Sequence, residues 1–375
     1  MFNKKILMAV AVVSGLLLAT FSACTKKESN IIKIGAILPL TGPVSNLGQW
    51  VKNGMDIAVS EVNASGGLNG KNIQVVYADS KADPKEGLSA FTQMLNTDNP
   101  PVYLSAMTGV TNALIPVADK NKRVLFATTV SASGVTEKSS WVRRLFITAD
   151  IDAKTMAQYA AEKLGLKKVA IILVNDDMGL SFAGVFKTVF EAAGGKVVAE
   201  EAFEKGNTDF RSVLAKLKKM APDGLYIVGY DNNLGVLPQQ IREAKIKSTI
   251  LSIGTLGQPN VLVQAGASLE GAYFTTTEFS AETPRTEQAK HFAESYSAAY
   301  KSPANYFSTF AYDSVKIIAE TIKTDGSDPE AIRSGLLKVN SYGGVTGNIT
   351  VKPNGDADFP MVVKKIINGK IEDVH

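Results

Sequence analysis

Residues 32–87 read IKIGAILPLTGPVSNLGQWVKNGMDIAVSEVNASGGLNGKNIQVVYADSKADPKEG, and the order of signals in this stretch decides the fold. Ile31 to Leu40 is dense in isoleucine, leucine and alanine, the composition of a buried strand. Val51, Met55, Ala58, Val59 and Val62 then recur at helical spacing. From Ala64 to Gly70 the chain supplies the glycine and asparagine that end helices, and Ile73 to Tyr77 returns to strand composition. Pro84 opens a second helix that runs to about Asn96.

Working outward, Asn99, Pro100 and Pro101 break that helix before a short strand at Val102 to Leu104, and Val124 to Phe126 reads as another. The same grammar restarts at Lys168 to Val174, a strand, followed by a helix at Leu180 to Ala193, a stop at Gly194 and Gly195, and a strand at Lys196 to Phe203. Helix Asp209 to Met220, strand Gly224 to Val228 and helix Leu234 to Ala244 continue it. Alternation of this kind predicts α/β architecture, a parallel sheet covered by helices on both faces, and its repetition predicts two such doubly wound lobes. At 375 residues the chain exceeds what one core serves. Later helices at about Thr286 to Tyr300, Phe307 to Thr324 and Asp328 to Val339, and strand-like runs at Asn348 to Val351 and Val362 to Ile367, complete one lobe or the other.

The N-terminus carries a different message. Lys4 and Lys5 precede an unbroken apolar run from Ile6 to Leu18, and the chain's single cysteine, Cys24, follows Phe21, Ser22 and Ala23. A spanning helix needs about 20 apolar residues, so the run reads as an export signal and not a retained anchor. The layout resembles the bacterial lipobox, with Phe21 where leucine is usual, which makes 1–23 a lipoprotein signal peptide, 24–30 a tether and Cys24 the lipidated residue. The competing reading is an ordinary signal peptide in which Cys24 falls by chance. With no second cysteine the folded part has no disulfide, and losing Lys4 and Lys5 takes the net charge from +4 to +2. That balance gives no electrostatic footprint for nucleic acid or for an acidic membrane surface.

Catalytic signals are weak. His291 and His375 are the only histidines, too few for a metal cluster or a histidine-based triad, and both read as surface residues. Gly66, Gly67, Leu68, Asn69, Gly70 and Lys71 imitate a phosphate loop, but Ser65 and Asn72 stand at two defining positions and the stretch follows a helix. Gly266 to Gly271 is one residue too long for a nucleophile elbow. Asp176 and Asp177 directly precede a helix, where a capping role comes first. These readings disfavour an enzyme and imply no metal or cofactor.

The opening block closely resembles the start of the branched-chain amino-acid binding proteins, the type I periplasmic solute-binding family. The likeness continues through ATTVSASG at 127–134, KVAIILVNDD at 168–177, FAYDSVKIIAE at 310–320 and GGVTGNITVKPNGD at 343–356. The resemblance implies two lobes joined by three crossovers, near Ala149 to Asp152, Thr276 to Phe279 and Gly344 to Asn348. Residues 31–149 plus 278–344 then form lobe 1, and 150–277 plus 345–375 form lobe 2. It also implies a monomer that clamps a small solute and presents it to the permease of an ATP-driven importer. A ligand-sensing regulatory receptor on the same scaffold is the alternative function.

By position in the family blocks, Thr108 and Ser131 fall on hydroxyls that hold a ligand carboxylate and Thr129 on a backbone contact. Their non-ligand readings are a helix cap near Thr111 and a simple turn. Leu47 and Met178 stand where the family often places aromatic rings, and Thr255 where an acid takes the ligand ammonium. Asp231, beside Tyr230, and Asp152 are the candidates for the missing charge, with capping as the competing role of each. An amino acid or a small carboxylate with a sizeable apolar part is the expected ligand, since Leu47 and Met178 present an adaptable apolar wall. The lipobox reading has a direct check: mass spectrometry of the mature protein should find a lipid-modified Cys24 as the first residue. A mature chain that begins elsewhere, or a bare Cys24, removes the anchor.

Overall fold

The computed structural model describes residues 30–374, so the expected export signal, Cys24 and all of the tether but Asn30 lie outside the described residues. The first half builds β1 (Ile31–Leu38), α1 (Ser45–Ala64), β2 (Asn72–Asp79), α2 (Pro84–Thr97), β3 (Val102–Ala106), α3 (Thr108–Lys120), β4 (Val124–Thr129) and β5 (Val142–Arg144). These five strands are parallel in the order β2-β1-β3-β4-β5. Every residue of β3, β4 and β5 is buried, as expected of strands covered on both faces. At the start of α2, Asp83 accepts from the backbone N–H groups of Lys85 and Glu86 while Pro84 occupies the first turn.

The second sheet repeats the plan. After α4 (Ala149–Gln158) come β6 (Lys168–Val174), α5 (Asp177–Ala192), β7 (Lys196–Phe203), α6 (Arg211–Met220), β8 (Gly224–Val228), α7 (Asp231–Leu234), α8 (Leu237–Glu243), β9 (Thr249–Ser252), α9 (Pro259–Ala265) and β10 (Tyr273–Thr276). The order β7-β6-β8-β9-β10 matches the first sheet, and antiparallel β14 (Val362–Ile367) and β15 (Lys370–Asp373) extend its edge. Between them the chain returns to the first lobe as α10 (Glu287–Tyr300), α11 (Tyr306–Asp325) and α12 (Pro329–Gly335), with α11 lying along α1. Strands β11 (Tyr342–Gly344), β12 (Gly347–Val351) and β13 (Ala357–Asp358) make a small antiparallel sheet. The chain is therefore a two-lobed α/β protein crossed three times.

Four local expectations are corrected. The helix expected at Leu234 to Ala244 is broken, because Pro238 has no N–H to give and is accommodated only in the first turn of a new helix, α8. The helix expected at Asp328 to Val339 ends as α12 at Gly335 and tightens into a 3₁₀ turn, Leu336–Lys338. The first crossover precedes Ala149, since Ala149 to Asp152 already form the first turn of α4. The third does not lie at Gly344 to Asn348, which is the β11–β12 hairpin with Gly344 opposite Gly347. Residues 345–358 stay with the first lobe: the Arg144 N–H donates to the Gly355 carbonyl at 2.9 Å, and Phe359 packs edge-on against Phe310. The chain joins the second sheet only at Val362.

Helices α1 and α11 meet backbone to backbone at Gly54, where a Cβ would lie 2.1 Å from the Ser308 carbonyl oxygen. Gly54→Ala must push the two helices apart, so it should cost about 1–3 kcal/mol of stability despite the better helix propensity of alanine. Urea unfolding of the two proteins measures this; an unchanged or higher midpoint would show that the helices separate freely.

Candidate ligand-binding site

In open α/β sheets the crevice forms outside the carboxyl ends of the strands, where the strand order reverses. Here that point falls between β1 and β3 in one sheet and between β6 and β8 in the other. The two points face each other across a cavity lined by residues of both lobes. Eight residues singled out from sequence line it: Leu47, Thr108, Thr129, Ser131, Asp152, Met178, Tyr230 and Thr255. They come from turns and helix starts that follow β1, β3, β4, β5, β6, β8 and β9, which explains how positions so far apart in sequence meet.

The first-lobe wall is built to present donors. Helix α3 begins at Thr108, not Thr111, and its N-cap is Met107, which offers no side-chain bond to the helix. Thr108 is thus inside the helix and does not cap it. The first helical bond runs from Thr111 N–H to the Met107 carbonyl, so the N–H groups before it have no intrahelical partner. Met107 reaches this geometry at φ 72° and ψ 126°, a conformation that costs a non-glycine residue about 1–3 kcal/mol and tends to occur where function demands it. The Thr129 hydroxyl is buried with no hydrogen-bond partner. The loop bearing Ser131 is held by Arg144, whose Nη1 donates to the carbonyls of Val130 and Ala132.

Around the remaining surface, Phe146, Phe182, Ile253, Tyr306 and Phe307 join Leu47 and Met178 in an apolar lining. Phe146, Phe307 and Phe310 pack ring on ring, with Trp50 stacked behind Phe307 at 5.9 Å. The sequence reading missed these aromatic residues because each looks like an ordinary core side chain; the Tyr306–Phe307 pair just after the helix cap Asn305 was the one visible sign.

Asp152 is the acid of the cavity. It is 4% exposed, sits in the first turn of α4 and accepts a hydrogen bond from Thr275 Oγ1. Burial pushes its carboxyl up to about 7, against a smaller downward pull from Thr275. Asp231 is placed differently. It does not line the cavity, because α7 begins with it and turns its carboxylate to Asn46 Nδ2 and Asn260 Nδ2, each at 2.7 Å. The Asn46 bond spans the two lobes. Asn112 with Asp177 at 2.7 Å and Ser133 with Ser181 at 3.0 Å bridge the cleft in the same way. Tyr230 donates to Asp176, which also caps α5 through the Gly179 N–H.

Two matching lobes with a polar and apolar cavity at their seam have the layout of a small-molecule binding protein. Residues 31–370 match the family model described as periplasmic binding protein, and the chain belongs to that family. The Leu/Ile/Val-binding protein homolog 3 of Brucella melitensis is 28% identical over 346 residues, covering 91% of this chain and 92% of that protein. The branched-chain amino acid transporter substrate-binding protein LivJ of Streptococcus pneumoniae, solved with isoleucine, has a TM-score of 0.84 at 28% identity, over 91% of this chain and 98% of that one. The leucine-binding protein LivK of Thermotoga maritima gives 0.85 at 25%, over 92% and 98%. Family membership makes the chain an extracytoplasmic binding protein and not an enzyme.

The upward shift of Asp152 has a thermodynamic sign. A carboxyl that holds its proton more tightly folded than unfolded supports the fold fully below pH 4 and loses that support as pH rises toward 7. Without ligand, wild type should therefore lose melting temperature relative to Asp152→Asn across that window. Parallel curves for the two proteins from pH 4 to 8 would refute a buried, titrating Asp152.

Proposed function

We propose that this chain is the solute receptor of an ATP-driven importer, anchored through lipid on Cys24, monomeric, and closing its lobes on an amino acid or small carboxylate with a sizeable apolar part. The observation that carries the ligand class is the division of the cavity: unsatisfied donors at the α3 N-terminus and at Thr129, with Ser131 beside them, against a wall of Leu47, Phe146, Met178, Phe182 and Phe307. A carboxylate stripped of water needs several aimed donors, and the helix end adds a favourable dipole. The apolar wall takes up the remainder of the molecule, with Met178 able to adjust to its shape. The relatives named for leucine, isoleucine and valine point to the same chemistry. Segments 145–148, 277–286 and 359–361 serve as hinges, and the closed form is what the permease recognises.

Calorimetry of the mature protein against leucine, isoleucine, valine, phenylalanine and aromatic acids should yield at least one ligand, and the reading fails if all are silent. Thr129→Val should then weaken that ligand about 10- to 100-fold, the worth of a hydrogen bond to a charged group. Because the Thr129 hydroxyl has no partner among the described residues, the same change should leave the unliganded melting temperature unchanged or raise it. Loss of stability with unchanged affinity would assign the hydroxyl a purely structural role.

A further inference from the structure

We infer that Asp231 serves the closing of the lobes and not the guest: with Asn46 it forms a clasp across the seam, and this pair sets how much of the closed form exists before any solute arrives. The inference rests on the lobe closing proposed above and on no particular ligand. Asn46 Nδ2 donates to Asp231 Oδ2 at 2.7 Å, which joins the second residue of α1 in the first lobe to the first residue of α7 in the second. Asn260 Nδ2, from within the second lobe, reaches the same oxygen at 2.7 Å, so the carboxylate is aimed at the seam by its own lobe. Asp231 is 4% exposed, and a hydrogen bond to an ionised acceptor is roughly twice as strong as one between neutral groups. The bonds on the other side of the cleft lack one or both of these advantages: Asn112 with Asp177 is exposed, and Ser133 with Ser181 is exposed and neutral.

The turn that carries Asp231 is firmly held. The Tyr230 N–H donates to Asn233 Oδ1, and the side-chain amides of Asn232 and Asn233 donate to the Lys205 carbonyl at 3.1 and 2.9 Å. Lys205 Nζ in turn donates to the Ala82 carbonyl of the first lobe at 3.4 Å, so this turn supports a second bond across the seam. Each half of the clasp also sits one residue from the cavity, since Leu47 follows Asn46 and Tyr230 precedes Asp231, and both line it. Asn46→Asp would set two acceptors of like charge against each other without changing size. The fold itself should tolerate that change, because Asn46 is exposed and an acid in the first turn of α1 is favoured by the helix dipole. Adding Asp231→Asn gives the pair back its donor and acceptor with the charge on the opposite lobe.

The test needs no solute. The Oγ atoms of Ser133 and Ser181 lie 3.2 Å apart across the seam, so Ser133→Cys with Ser181→Cys, in the mature chain with Cys24→Ser, makes a reference protein whose two thiols oxidise together only when the lobes meet. In glutathione buffers its oxidation constant reads the closed share. Added to this protein, Asn46→Ala should lower the constant about threefold and Asn46→Asp about tenfold or more, while Asn46→Asp with Asp231→Asn should return it to within about threefold of the reference. The reduced Asn46→Asp protein should melt no more than about 2 °C below the reference. A constant untouched by Asn46→Asp, or lowered by it and not recovered in the swap, overturns the inference. Should the swapped protein not fold, the order of constants decides alone: reference, then Asn46→Ala, then Asn46→Asp supports the clasp, and any other order overturns it. A reference pair that never oxidises shows that the lobes do not meet at this seam, and the proposed closing then fails with the inference. A silent panel of candidate solutes, in contrast, removes the ligand class and leaves the clasp standing.

Discussion

The architecture turns on a buried ion pair. The Arg144 side chain is wholly inaccessible, and its Nε donates to Asp356 Oδ1 at 2.8 Å. Burial lowers the basicity of its guanidinium, and the Asp356 carboxylate opposes that loss. The same guanidinium holds the carbonyls of Val130 and Ala132, and Asp356 accepts further hydrogen bonds from Thr136 and Asn354. One interaction therefore ties the last strand of the first sheet, the loop that carries Ser131 into the cavity, and the β12–β13 segment from more than 200 residues away. Removing one partner of such a pair typically costs about 3–5 kcal/mol, because the other is left charged and buried. The shape of the donor wall is thus coupled to the stability of the first lobe.

A different economy governs the seam. Two polar pairs that bridge the lobes, Asn112 with Asp177 and Ser133 with Ser181, are exposed, and bonds of that kind contribute little against water. The Asn46–Asp231 and Lys205–Ala82 bonds are part-buried, and Thr255 bonds Tyr306 across the seam, but these contacts are few and scattered. Within the proposed cycle, the guest must therefore supply most of the preference for the closed form, since a ligand shifts a conformational equilibrium only by its difference in affinity between the two states. A cavity with unsatisfied donors on one wall and an unpaired acid on another has that difference built in.

Much of this was legible in the sequence, for identifiable reasons. Strands Lys168–Val174 and Gly224–Val228 were read to the residue, because strands buried on both faces leave continuous apolar runs, and the edge strand Lys196–Phe203, with one buried residue, was placed by the Gly194–Gly195 stop before it. Short strands such as Val142–Arg144 were invisible, for two of their three residues are arginines. The third crossover was misplaced since GGVTGNITVKPNGD contains two turns, and only the contact of Gly355 with Arg144 shows to which lobe it belongs. In the cavity, the hydroxyl positions were found through their place in the blocks that resemble the family, and Asp152 through its place at the first crossover. The aromatic lining was not, because a ring facing a cavity and a ring facing a core obey the same pattern. Asp231 and Asp152 were equal candidates in sequence; one turn of α7 and one turn of α4 separate them in space.

The position of Asp152 has a consequence for how binding and movement are linked. An acid on the loop after β9, where Thr255 stands, would belong to one lobe alone. Asp152 instead lies in the first turn of α4, four residues beyond the first crossover segment, and its partner Thr275 lies one residue before the end of β10, where the second crossover begins. Its charge is therefore seated between two of the three connections. Burial raises its carboxyl and the Thr275 hydroxyl opposes that rise, so the group whose charge is most costly to bury in this cavity is held by a strand that leads directly into a crossover.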